Sequence, residues 1–208
     1  MVGRIRGNAE ALGLRLADEQ VCEPNLIVTF VADGQGFFQR MRAERAYLFR
    51  DMTQAERDEL LGAGHPVRTL LRVIPRSRDG MPISRREDLV SPPRTTMWMA
   101  HSKIYSATRN DIYHALVVFD RGAIEGMSIN QLADYATFRA LSRTLPRADA
   151  AADGSILALF SDGTRADGLT GSDRAWLAAL YRGPPNMPAP ARLAELEKAS
   201  GRRAAARE

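Results

Sequence analysis

Lysine is almost missing from this 208-residue chain: of 29 basic residues, 27 are arginine and only Lys103 and Lys198 are lysine. Cysteine occurs once, at Cys22, and histidine three times, at His65, His101 and His114. A single cysteine rules out an intrachain disulfide and leaves no all-cysteine or Cys/His zinc site of the usual kind. Long apolar runs are also missing. The longest compact one is Leu26 to Ala32, far short of the roughly 18 residues that a membrane-spanning helix needs. Met1 to Leu16 is broken by Arg4, Arg6, Glu10 and Arg15, so it lacks the uninterrupted apolar core of a signal peptide. Taken as it stands, the chain reads as soluble and cytoplasmic.

Sequence signatures of phosphate and nucleophile chemistry are missing too. No G-x-S-x-G elbow, G-x-x-x-x-G-K-[ST] loop or complete G-x-G-x-x-G occurs, Gly34-Gln35-Gly36 being a fragment of the last. Cys22 precedes a turn with no local histidine, the setting of a small hydrophobe rather than a nucleophile. What is present is ordinary globular stock, 45% hydrophobic and 26% charged, which excludes wholesale disorder and fibrous repeats. The length fits one domain with a small appendage.

Ile5, Ala9, Leu12 and Leu16 recur at helical spacing within Val2 to Leu16. Leu26-Ile27-Val28-Thr29-Phe30-Val31 reads as a strand buried on both faces, closed by Asp33-Gly34. Phe37, Phe38, Met41 and Tyr47 give the next helix an apolar side. Thr53 with Glu56 is a capping box, and the helix it opens stops at Gly62 and Gly64. Val67 to Ile74 reads as a strand with Arg68 and Arg72 exposed. Pro75 to Pro93 is a long irregular stretch. Met97–Tyr105 and Ile112–Phe119 then form an expected antiparallel pair around a turn at Thr108-Arg109-Asn110-Asp111.

The second half is helical. Ser128 with Gln131 opens a helix to about Ser142 with a stripe of Ile129, Leu132, Ala133, Ala136 and Ala140. Ile156–Phe160 is a short apolar helix, and Thr170 with Asp173 caps a helix carrying Trp176, Leu177, Leu180 and Tyr181. Pro184, Pro185, Pro188 and Pro190 precede a helix over 191–199 and a frayed tail. The expected fold is α+β, with a mixed sheet of about four strands and a helical C-terminal half. The expected division is a single domain over 1–183, followed by a Pro-rich linker, helix and basic tail over 184–208.

Metal-assisted hydrolysis needs two histidines at i and i+4 on one helical face with a glutamate between them. The helix in the corresponding place reads Gln131-Leu132-Ala133-Asp134-Tyr135-Ala136-Thr137-Phe138-Arg139 and holds no histidine. His101 and His114 could face each other across the hairpin, with Asp111 or Asp120 beside them, as a hydrolytic site. The plain alternative is strand histidines at the surface or satisfied in the core. Asp134 has no second carboxylate at i+3 or i+4, which favours pairing with an arginine over acid–base work.

The charge is local. Residues 68–109 hold nine basic groups, Arg68, Arg72, Arg76, Arg78, Arg85, Arg86, Arg94, Lys103 and Arg109, against Asp79, Glu87 and Asp88. This is a net +6, where the whole chain carries +4. Trp98 and Tyr105 lie among them, so the segment could track a nucleic-acid backbone or an anionic surface. Scarce lysine and the lack of a recognition motif speak against nucleic acid, and arginine-rich, alanine-rich composition also follows from GC-rich codons.

Ser102-Lys103-Ile104-Tyr105-Ser106-Ala107-Thr108-Arg109-Asn110-Asp111-Ile112-Tyr113, Leu116–Asp120 and Gln131–Ala136 together resemble an uncharacterised family of bacterial proteins. Cys22-Glu23-Pro24-Asn25, Ser155–Phe160, Gly168-Leu169-Thr170 and Asp173-Arg174-Ala175 extend the resemblance over most of the chain. It implies export, with a leader upstream of Met1, and Cys22 as half of a disulfide with a partner further upstream. A more distant likeness is to exported zincin-like proteins, with Asp134 and Tyr135 standing where some of those carry a metal-binding helix. That likeness implies a metal-free zincin-like groove between strand 97–105 and helix 128–142. The groove would bind a peptide or cell-envelope component through Arg109, Asp111, Asp134, Tyr135 and Arg139, with no cofactor.

Overall fold

The computed structural model describes residues 1–18, 20–50, 52–83, 105–145, 154–161, 165–188, 190–192 and 194–195. The described fold is α+β around a mixed sheet of three strands, β1 (Leu26–Val31), β2 (Val67–Ser77) and β3 (Thr108–Asp120). Their order is β1-β3-β2. β1 runs parallel to β3, and β2 runs antiparallel to it. Five α-helices have both ends described, α1 (Val2–Ala11), α2 (Gly34–Glu44), α3 (Gln54–Leu61), α4 (Ile129–Ser142) and α5 (Gly171–Arg182), and residues 190–192 and 194–195 are helical as well. Short 3-10 turns lie at Ala46–Phe49, Arg121–Ile124 and Ile156–Phe160.

Strand alternation sorts the core into two layers. Leu26, Val28, Phe30, Ala115, Val117 and Phe119 face a core built with α1, α4, α5 and the 156–160 turn. Val31, Leu70, Leu116 and Val118 face the opposite way, against Phe38, Phe49 and Leu60 from α2, the 46–49 turn and α3. Local chemistry sets the helix ends. Thr53 with Glu56, Ser128 with Gln131 and Thr170 with Asp173 all form reciprocal capping boxes, as their spacing predicts. α1 starts at Val2 with no side-chain cap and ends at Ala11, five residues short of the expected Leu16.

Several expectations are corrected. The sheet has three described strands rather than four, and residues 97–104 of the fourth lie outside the described residues. Thr108-Arg109-Asn110-Asp111 is not a turn but the start of β3, because β2 runs on to Ser77 and supplies its partners: Arg76 stands opposite Arg109 and Ile74 opposite Asp111. Leu26–Val31 is not a fully buried strand. Among the described strands it lies at an edge of the sheet, none of its residues is buried, and Ile27 is 48% exposed. Arg68 is not exposed, being 2% accessible, because its guanidinium has partners at the end of the sheet, whereas Arg72 is exposed as expected. Much of the expected 75–93 stretch and the 149–154 loop fall outside the described residues; of the expected 191–199 helix, residues 191, 192, 194 and 195 are described and are helical.

The chain after α5 lies against the domain. Asn186 is buried, its Nδ2 donates to the Ser106 carbonyl at 2.9 Å, and its own carbonyl accepts from the Ser106 N–H at 3.0 Å. Arg192 reaches back from beyond it to the Leu180 carbonyl.

Candidate functional site

Helix α4 carries three of the five candidate residues, and it is the most deeply placed helix: every residue from Leu132 to Ala140 is buried. Polar side chains on such a helix must find partners inside the protein. Asp134 faces α1. Its Oδ1 accepts from Arg4 Nε at 2.7 Å and Asn8 Nδ2 at 2.8 Å, and its Oδ2 from Arg4 Nη2 at 2.6 Å and the Leu169 N–H at 2.8 Å. Burial alone would raise this carboxyl. The hydrogen bonds from Arg4, Asn8 and Leu169, with the charge on Arg4, outweigh it and hold the group below its ordinary value. Gly168 permits this arrangement, since a Cβ there would collide with Asp134 Oδ2 and press on Arg4 Nη2.

Tyr135 and Arg139, four residues apart, share the helix face turned toward the sheet. The Tyr135 ring packs edge-on against Phe160, with centroids 5.0 Å apart, and lies tilted to Phe119 at 6.1 Å. Burial raises its phenol above the ordinary value. Arg139 pairs with Glu59 of α3, and the two side chains are 2% and 5% exposed. The same Glu59 oxygen accepts the Thr69 N–H at 3.2 Å. Thr69 stands opposite Val117 at a position where the backbone groups of β2 point away from β3. Glu59 therefore reaches from the α3 layer round the free edge of β2, covers a strand N–H there, and meets an arginine from the α4 layer. Burial pushes the Glu59 carboxyl up, Arg139 and the Thr69 N–H pull it back, and the balance leaves it above its ordinary value.

A cavity of about 10 Å³ adjoins this pair, lined in part by Glu56, Glu59, Thr69, Arg139 and Arg143. That is room for about one water molecule. The Nε and Nη1 atoms of Arg139 and the Thr69 hydroxyl are buried without a hydrogen-bond partner.

Arg109 and Asp111 form a separate cluster near the far end of the β2–β3 pair. Asp111 Oδ2 accepts from Arg109 Nη2 at 2.9 Å and lies 3.4 Å from Arg76 Nε. Arg76 and Arg109 are cross-strand partners, so Asp111 relieves a like-charge contact and leaves one net positive charge. Arg76 also donates to the Gly80 carbonyl at 2.9 Å. All three side chains are about a quarter to a third exposed. Among the described residues, no hydrogen bond or ion pair joins this cluster to Asp134, Tyr135 or Arg139.

Of the hydrolytic candidates, His101 lies outside the described residues. His114 sits on β3 opposite Arg72 with its ring edge-on to Tyr113, centroids 4.4 Å apart. Asp120 is six residues along the same strand, about 20 Å away at strand rise. Its carboxylate accepts the Gly34 N–H at 2.8 Å and pairs with Arg68 at 3.2 Å. Among the described residues no group of three or more His, Cys, Asp or Glu side chains could hold a metal ion. No described helix is long and apolar enough to cross a membrane.

Sequence reading missed Arg4, Asn8, Glu59, Thr69 and Gly168. Arg4 and Asn8 carry a local signal, two polar residues at i, i+4 beside the Ile5–Ala9–Leu12 stripe. Glu59 carries none, because its partners come from other elements. Comparison with protein-family models, with curated proteins and with solved structures finds no match to this chain.

Proposed function

We propose that this chain is a non-catalytic, exported binding protein for a peptide or cell-envelope component, with a zincin-like architecture whose central helix has become a strut. The observation that carries this reading is the state of α4. Its polar residues Asp134 and Arg139 are buried and committed to Arg4, Asn8, Leu169 and Glu59, so they fix the helix in place instead of facing a reactant. A general acid or base needs hydrogen-bond reach to its substrate, and neither of these groups is placed for it. On this reading Asp134, Tyr135 and Arg139 support the site, and contact with the ligand falls to Arg109 and Asp111. Their cluster is partly exposed, is joined to Arg76 by the ion pair with Asp111, and has one positive charge to offer a carboxylate.

The test uses immobilised peptide pools and soluble cell-wall fragments as probes, with mass spectrometry of the probe after incubation. The expected result is retention of an intact probe, weakened at least several-fold in Arg109→Ala. Time-dependent cleavage of any probe would reject the non-catalytic reading. Undiminished retention by Arg109→Ala would reject the assigned contact residues.

A further inference from the structure

The two edges of the sheet are treated differently. On β2, Glu59 covers the Thr69 N–H, and farther along Pro82 bridges to Arg76 while the Ser77 N–H donates to the Met81 carbonyl. β1 carries no such device in its own sequence: Leu26–Val31 has no charge, no proline and no bulge, and among the described residues no strand lies beyond it. The hydrogen-bond pattern fixes which groups are turned outward. The Ala115 N–H donates to the Asn25 carbonyl at 2.8 Å, and Leu26 stands beside Ala115 in the parallel register. Asn25, Ile27, Thr29 and Val31 therefore point their backbone groups at β3, and Leu26, Val28 and Phe30 point theirs away.

We propose that β1 is the interface of a two-fold homodimer, pairing antiparallel with β1 of a second copy about an axis at Val28. The geometry selects that centre. With Val28 opposite its own copy and Leu26 opposite Phe30, all three outward residues of each strand exchange both N–H and C=O bonds with the partner. The side-chain pairs match as well. Leu26 meets Phe30 and Val28 meets Val28 on the side of the larger core, while exposed Ile27 meets Thr29 on the other. These are aliphatic–aromatic and β-branched pairs with no like charges opposed. Self-complementarity of one patch is what a closed two-fold contact requires. The result is one continuous six-stranded sheet with the protected β2 edges outermost.

Sedimentation velocity on the full chain, from low to high micromolar concentration, tests this. Ile27→Lys changes an exposed side chain. Val28→Pro removes an N–H that β3 does not use. Met81→Lys places the same charge at the β2 edge as a control. The expected result is a concentration-dependent dimer in the wild type and Met81→Lys, and in Ile27→Lys a monomer whose far-ultraviolet circular dichroism matches the wild type, with a thermal midpoint that no longer rises with concentration. Val28→Pro is a second route to the same loss. A wild-type monomer at every concentration would overturn the proposal. So would a dimer that survives both β1 substitutions, since its contact must then lie elsewhere.

Discussion

Glu59 and Arg139, eighty residues apart, meet round the free edge of β2 and tie the helix layer on one face of the sheet to the layer on the other. Removing one partner strands a buried charge, whereas removing both need not. Arg139→Met is expected to lower unfolding free energy in urea by about 3–5 kcal/mol. The double variant Glu59→Leu/Arg139→Met should lose clearly less than the sum of the singles. Additive losses would mean that the two side chains are not coupled.

The carboxyls of Glu59 and Asp134 should titrate in opposite directions from their ordinary values. Burial sets Glu59 above 4.5, so the folded state holds its proton more readily than the unfolded chain does. Its stabilising contribution is full below 4.5 and lost as pH rises through the folded value. For Asp134 burial is outweighed by Arg4, Asn8 and Leu169, and the folded value falls below 3.8. Its contribution is full above 3.8 and lost as pH falls through the folded value. Carboxyl carbon shifts followed by NMR should give a midpoint above 4.5 for Glu59 and below 3.8 for Asp134. The reverse order would contradict the hydrogen bonding described for both.

Two glycine substitutions separate close packing from helix propensity. Gly168→Ala drives a Cβ into the Asp134 carboxylate and should cost about 1–3 kcal/mol. Gly7→Ala, within α1 and with nothing within 4 Å of the new methyl, should stabilise by about 0.5–1 kcal/mol. Thermal midpoints that move the same way in both variants would show that Gly168 is not held by the Asp134 contact.

The features legible in the sequence are those written within one turn of helix. Thr53, Ser128 and Thr170 announce their helices because the residue that completes each box is three positions away. The α+β class and the helices described after β3 follow from the same local periodicity. Nonlocal arrangement was hidden. Thr108-Arg109-Asn110-Asp111 has turn composition, yet pairing with Pro75, Arg76 and Ser77 makes it a strand, and Asp111 offsets the repulsion this creates between Arg76 and Arg109. Arg68 looks like a solvated strand arginine until Asp120 and the carbonyls of Gly62 and His65 are brought to it. Leu26–Val31 has the composition of a core strand, but its place at the edge depends on the order of the other two.

Of the candidate site, the sequence identified Asp134 as a residue to watch and an arginine as its natural partner. It did not indicate that the arginine would be Arg4, 130 positions earlier.

That separation bears on the order of events during synthesis. α1 is made before the sheet, yet its polar face is matched only when α4 and Leu169 exist. A helix of ten residues is marginal in water by itself. α1 must therefore wait without its partner until Asp134 and Leu169 have followed, and its docking closes a loop that encloses the three described strands. A nascent chain stalled before residue 134 should leave α1 open to proteases, and one stalled beyond Leu169 and clear of the ribosome should protect it.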